Sequence, residues 1–104
     1  MTPRLSFGDR ALEDIEDGRQ WYEAQLPGLG AAFLAELEAA MRFVRAAPEM
    51  YPVVPERPMV RRVLLHRFPY RVFYRIESSE DILVLACLHV RQEVIGLLTE
   101  RGDV

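Results

Sequence analysis

Near the start of the chain Leu5 and Phe7 alternate with Arg4 and Ser6, the period of two that a strand demands, so Pro3 to Phe7 reads as an opening strand. From Asp9 onward the period lengthens. Leu12, Ile15, Tyr22 and Leu26 recur at spacings of three, seven and four, which predicts a helix with those residues on its buried stripe. Asp9 is the expected N-cap, and Glu13, Asp14, Glu16 and Asp17 put negative charge where a helix N-terminus favours it. Gly18 weakens the middle of this helix. After Pro27-Gly28-Leu29-Gly30 a second helix is expected, with Phe33, Leu34, Leu37, Ala40, Met41 and Val44 on one face, ending near Pro48.

Two amphipathic helices joined by a short Pro/Gly link form an antiparallel hairpin, and its combined apolar face needs a sheet to cover it. The remaining pattern supplies one. Met50 to Pro58, with prolines at 48, 52, 55 and 58 counting its leading edge, reads as an extended connection. Val60 to Leu65, Tyr70 to Ile76 and Ile82 to His89 then read as three strands, separated by Arg67-Phe68-Pro69 and by the hairpin-length turn Ser78-Ser79-Glu80-Asp81. The last strand is apolar on both faces, as a central strand is. Val94, Ile95 and Leu98 suggest a short final helix with Gly102 at its stop. The expectation is an α+β fold: an N-terminal strand and a helical hairpin packed on a largely antiparallel sheet, with a short C-terminal helix.

Length and composition narrow the class. At 104 residues with 50% hydrophobic and 28% charged positions, the chain fits one ordered domain spanning 1–104. The sequence offers no run of the roughly 18 apolar residues a membrane helix needs. Met1 to Phe7 has no basic flank leading into an apolar stretch, so a cytoplasmic protein without membrane contact is expected. Cys87 lies inside the apolar run from Ile82 to Leu88 and reads as a small buried hydrophobe.

A net charge of −3 argues against a general nucleic-acid binder. The distribution adds a qualification. All 13 cationic side chains are arginine, and Arg57, Arg61, Arg62, Arg67, Arg71 and Arg75 fall in one stretch that contains no acid. On the strand Tyr70 to Ile76, Arg71, Phe73 and Arg75 share one face, and Val72, Tyr74 and Ile76 share the other. The second set is expected to pack on the helices. Arg71 and Arg75 are then left on an open face, joined across the sheet by one of Arg61 and Arg62 and by His89. Such a face suits a grip on phosphates or carboxylates through planar donor forks; it also suits a solvated surface that discourages sheet-to-sheet aggregation.

Other chemistry is scarce. His66 and His89 lie two strands apart with no third Cys/His ligand at metal spacing, so neither a metal nor a cofactor is expected. Serines lie in turns and suggest no triad, and Gly28-Leu29-Gly30 follows a helix rather than a strand, unlike a phosphate loop. Trp21 lies off the apolar stripe and is expected to be partly exposed, while Tyr22 is expected to pack.

Taken together, Ala11-Leu12, Ile15, Trp21-Tyr22, Pro27-Gly28-Leu29-Gly30, Phe33, Pro48, Arg61-Arg62, the run Phe68 to Tyr74 and Leu88-His89 resemble the RelE/ParE toxins, often labelled plasmid-stabilisation proteins, over nearly the whole chain. The resemblance implies the toxin of a type II toxin–antitoxin module, inhibiting growth and neutralised by a cognate antitoxin. One branch of that family cleaves messenger RNA on the ribosome with basic residues on the sheet and, commonly, a tyrosine or histidine near the C-terminus. Arg62 and Arg71 match its basic positions; Leu64 stands where a lysine is expected, and Ile95, after Glu93-Val94, stands where the tyrosine is expected. An aliphatic side chain moves no proton, and His89 would have to substitute.

The ParE branch, known for poisoning DNA gyrase by binding it, resembles the chain better in the long hairpin, the Arg-Arg strand and the Leu-His strand end. Non-catalytic inhibition of gyrase is therefore the preferred expectation, with Arg61, Arg62, Arg67, Arg71, His89 and Arg91 as target-binding residues. The alternatives are a ribosome-dependent ribonuclease acting on mRNA, or a detoxified structural or regulatory module of the same fold.

Overall fold

The computed structural model describes residues 2–101. The chain runs β1 (Arg4–Phe7), α1 (Asp9–Gln25), α2 (Leu29–Ala46), a single 3₁₀ turn (Pro48–Met50), β2 (Val53–Val54), β3 (Arg57–Leu64), β4 (Tyr70–Ser78), β5 (Asp81–His89) and α3 (Val94–Glu100). The five strands form one sheet in the order β1-β5-β4-β3-β2, antiparallel except that β1 pairs parallel to β5. This is the α+β arrangement expected, with the apolar strand β5 inside the sheet. The Pro-rich connection is less irregular than expected, because Val53 and Val54 pair with Arg61 and Arg57 across a bulge. Gly102, the expected stop of the last helix, lies outside the described residues.

The hairpin α1–α2 covers one face of the sheet through Ala11, Ile15, Tyr22, Phe33, Leu37, Met41 and Val44, packed on Val63, Val72, Tyr74, Val84 and Cys87. Two details of α1 differ from the sequence reading. Gly8 rather than Asp9 is the N-cap, and it provides no side-chain bond; Asp9 begins the helix proper. The buried stripe runs Ala11, Ile15, Gly18, Tyr22, whereas Leu12 and Leu26 are exposed. Gly18, whatever it costs in helix propensity, is a packing position: a β-carbon there would stand 3.0 Å from Phe33 Cζ. The small residues Ala11 and Gly18 let α1 lie close on its neighbours.

Between the helices, Gly28 takes φ of +94°, a left-handed conformation that glycine alone adopts without strain. The Glu23 carboxylate accepts the amides of Gly28 and Gly30 at 3.0 Å each, and so supplies the cap that Gly28 cannot. Those bonds hold the Glu23 carboxyl below its ordinary pKa. At Gly30 a β-carbon would meet the Arg19 carbonyl oxygen at 2.8 Å, a backbone atom that cannot step aside. Gly30→Ala is accordingly expected to force the two helices apart and cost about 1–3 kcal/mol, the range for overpacking. A urea midpoint equal to that of the parent chain would refute the close approach.

On the other face of the sheet a second apolar cluster, Val54, Val60, Phe73, Leu85, Ala86 and Leu88, is covered by α3 through Leu98, with Val94, Ile95 and Leu97 around it. That face was expected to be open. Phe73 is instead 1% exposed, because a bulge in β5, where Phe73 pairs with Ala86 but Tyr74 with Val84, turns Leu85, Ala86 and Leu88 toward α3. Leaving Phe73, Leu85 and Leu88 uncovered would expose an apolar strip along two strands, and α3 removes it from water.

Candidate functional site

Three surfaces bear on function, and the sheet decides which residues each can contain. The first is the basic strip. Arg62 pairs with Phe73, and Arg71 with Leu64 and Leu88, so both arginines rise from the α3 side of the sheet beside the second cluster. Arg71 lies with its guanidinium 5.8 Å from the Phe73 ring centre, and its Nη2 donates to the Val90 carbonyl at 2.9 Å. Its Nε is buried without a partner among the described residues. Arg75, on the same strand face, reaches Glu77 at 2.7 Å.

The other candidates do not join them. Arg61 alternates to the hairpin side, where its Nη1 donates to the Tyr51 carbonyl at 2.7 Å and the Glu49 carbonyl at 3.1 Å, tying down the Pro-rich connection. Arg67 is exposed in the β3–β4 turn with its guanidinium over Phe68, and its amide donates to Glu36. His89 also belongs to the hairpin side: it pairs with Tyr70 and meets that ring edge-on at 5.4 Å. The expectation that His89 shares a face with Arg71 is corrected by simple alternation, since Cys87 and His89 follow one side of β5 and Leu88 the other.

His89 Nδ1 accepts the amide of exposed Arg91 at 3.1 Å, leaving Nε2 to carry the proton in the neutral ring. His66 is exposed at the far end of β3, and no metal-binding group of His, Cys, Asp or Glu occurs among the described residues.

The second surface is a cleft of about 490 Å³ beside α1, with Asp17, Trp21, Tyr70 and His89 in its lining. Trp21 is 58% exposed, in line with its place off the stripe. Burial, then the neighbouring Tyr22, Cys87, Asp14 and Asp17, push the Tyr70 hydroxyl up to about 12. Burial pushes the Cys87 thiol up to about 12 as well, so it stays protonated and unreactive at neutral pH. The third surface is a groove of about 600 Å³ on the other flank of α1, between that helix, α2 and β1. Leu5, Phe7, Leu12, Leu34 and Met41 line it together with Glu38, Arg42 and Arg45, the last of which donates to the Pro3 carbonyl. Leu12, exposed on the helix, faces this groove.

One constellation was missed by sequence reasoning altogether. Asp14 holds Arg101 through two bonds of 2.8 and 2.9 Å, and the same carboxylate accepts the Cys87 amide at 2.9 Å. Arg101 also donates to the Leu85 carbonyl at 3.1 Å. Past Val84, where β1 has ended, this pair satisfies the outer edge of β5 and clasps the end of α3 to α1. In the sequence Asp14 is one acid among several on α1, and nothing in the spacing distinguishes it.

The family model that matches, over residues 5–94, is described as the ParE toxin of the type II toxin–antitoxin system parDE. Among solved structures the chain is similar to a chain of the chromosomal ParDE system from P. aeruginosa, at 18% identity and a TM-score of 0.72, covering 85% of this chain and 96% of that one. A mutant of the E. coli toxin RelE in the free state aligns at 19% identity and a TM-score of 0.70, covering 98% and 96%. A chain of the intact E. coli RelBE toxin–antitoxin complex aligns at 19% identity and a TM-score of 0.64, covering 88% and 100%. No curated protein matches the sequence.

Proposed function

Because the chain belongs to the ParE toxin family of type II toxin–antitoxin systems, we propose that it stops growth by binding DNA gyrase in the cytoplasm without catalysis, and that a cognate antitoxin silences it. The observation that carries the non-catalytic reading is the separation of the groups a ribonuclease would need. Arg62 and Arg71 stand on the α3 side of the sheet, whereas His89 stands on the hairpin side. The arginines and the imidazole therefore leave the sheet from opposite faces.

A general base must also offer a bare nitrogen within hydrogen-bond reach of the proton it takes. His89 Nδ1 is already engaged by the Arg91 amide. Ile95, where the resemblance to the ribonuclease branch would place a tyrosine, packs against the second apolar cluster. What remains is a surface that grips, with Arg62, Arg71 and exposed Arg91 offering cationic contacts.

For the antitoxin, the groove beside β1 supplies apolar walls with two arginines and one glutamate among them. An amphipathic helix fits it by laying its apolar face on Leu12 and Leu34 and pairing an acid with Arg42. Two of the similar solved chains come from structures described as a ParDE system and a RelBE toxin–antitoxin complex, which supports an antitoxin partner here.

The decisive measurement uses the purified full-length chain in two assays. Dose-dependent loss of supercoiling by gyrase is expected, with messenger RNA on translating ribosomes left intact. Codon-level cuts in the messenger, reduced on the order of 10²-fold by Arg71→Ala or His89→Ala while supercoiling proceeds normally, would establish the ribonuclease instead. Co-expression with the neighbouring antitoxin frame should return both chains together.

A further inference from the structure

The cleft beside α1 is built unlike the basic strip and unlike the apolar groove. Asp17 and Trp21 are four residues apart on α1, so their side chains stand one above the other on the same flank of the helix. Both are exposed, and Asp17 forms no ion pair among the described residues. The Trp21 ring stands perpendicular to Tyr22 with centroids 5.1 Å apart, and Tyr70 and His89 continue the aromatic lining. Neither apolar cluster includes Trp21, although it is the chain's sole tryptophan and its largest side chain.

We propose that this cleft receives an arginine side chain presented by a protein partner, its guanidinium stacked on Trp21 and paired with the Asp17 carboxylate. Charge complementarity selects a cation. The charge comes from the exposed carboxylate of Asp17, since that of Asp14 in the same lining is held by Arg101; both carboxylates help to raise the Tyr70 hydroxyl. Tryptophan is the strongest aromatic partner for a cation, and an exposed tryptophan beside a cleft is the kind of residue that dominates binding energy. A planar guanidinium can stack on the indole and present two parallel donors to one carboxylate at the same time; an ammonium cannot. The chain's own Arg101 does not take the place, because it is held by Asp14. At about 490 Å³ the cleft also admits backbone on either side of the arginine. This second contact lies on the opposite flank of α1 from the groove assigned to the antitoxin, so both can be engaged together.

Since Trp21 is the only tryptophan, its emission reports on the cleft alone. The full chain is titrated with the acetylated, amidated peptide Gly-Arg-Gly, with its lysine and citrulline counterparts, and with AMP as a stacking anion. The arginine peptide is expected to give a saturable change, the lysine peptide to bind more weakly, and citrulline and AMP to give none over the same range. Asp17→Asn, at an exposed position that leaves the fold intact by circular dichroism, is expected to weaken the arginine peptide about threefold to tenfold. Glu13→Gln on the same helix serves as the charge control and is expected to bind as the parent does. Equal responses to arginine and citrulline, stronger binding of lysine or AMP, unchanged affinity in Asp17→Asn, or no saturation by any probe would each overturn the assignment. Supercoiling and messenger integrity do not enter this readout, so its failure is distinct from failure of the gyrase reading.

Discussion

Asp14→Ala is expected to destabilise the chain by about 3–5 kcal/mol, the range for removing one partner of a buried ion pair. The side chains of Asp14 and Arg101 are only 13% and 7% exposed, so neither charge can recover its hydration when the other is removed. The substitution also strips the Cys87 amide of its acceptor, at the edge of β5 where no strand stands ready to replace it. Two independent penalties therefore fall on one side chain. Chemical denaturation with Glu13→Ala as the exposed control measures the loss. Because the pair clasps α3 to α1, the same variant is expected to open the second apolar cluster first, seen as faster amide exchange around Leu98 and Leu85. Replacing both partners, Asp14→Leu with Arg101→Met, is expected to cost less than Asp14→Ala alone, since it removes the charges together. A single-variant midpoint no lower than that of the Glu13 control would show that the clasp contributes nothing.

Phe33→Ala is the other large effect, expected at about 3–5 kcal/mol for a fully buried aromatic reduced to a methyl group. Phe33 is 0% exposed and lies at the centre of an aromatic group, 5.4 Å from Tyr22, 5.4 Å from Phe68 and 5.0 Å from Tyr70. It is the residue through which α2, α1, the β3–β4 turn and the start of β4 meet. Its partner across the helical interface is Gly18, which leaves the space the ring fills. The two positions should be strongly coupled. In the parent chain Gly18→Ala sets a helix-propensity gain of about 1 kcal/mol against a 3.0 Å contact with the ring. With Phe33 already truncated, that contact is gone and the alanine is expected to stabilise. Additive effects in the four-variant denaturation cycle would disprove the coupling.

The periodicities of the chain determined the element order apart from the 3₁₀ turn and β2, because burial on one face imposes its period wherever the elements lie. A period of two marked β1 and β4, a period near 3.6 marked α1 and α2, and the apolar run Ile82 to Leu88 marked β5 as interior. The same pattern, joined with Tyr70-Arg71-Val72-Phe73-Tyr74 and Leu88-His89, carried the resemblance to the RelE/ParE toxins that the family match bears out. What periodicity cannot supply is which stripe wins when two are close. On α1 the stripe kept Ile15 and Tyr22 but took Ala11 and Gly18 in place of Leu12 and Leu26, because the close approach of the helix to its neighbours rewards a small side chain more than a large one. Leu12 was thereby released to the groove.

Only the tertiary structure decided what the arginines and His89 could do together. Each was legible as a polar group near a strand, yet the face it occupies depends on strand register, on the bulge in β5, and on whether α3 covers the sheet. A shift of one residue moves a side chain through the sheet to the opposite surface. Arg71 and His89 came to lie on opposite sides for that reason, while Asp14 and Arg101, 87 positions apart, met in a buried pair that no local pattern announced. Local sequence sets periods and propensities within a few residues; contacts between distant charges are settled by how the assembled layers place them, and by the cost of burying either one alone.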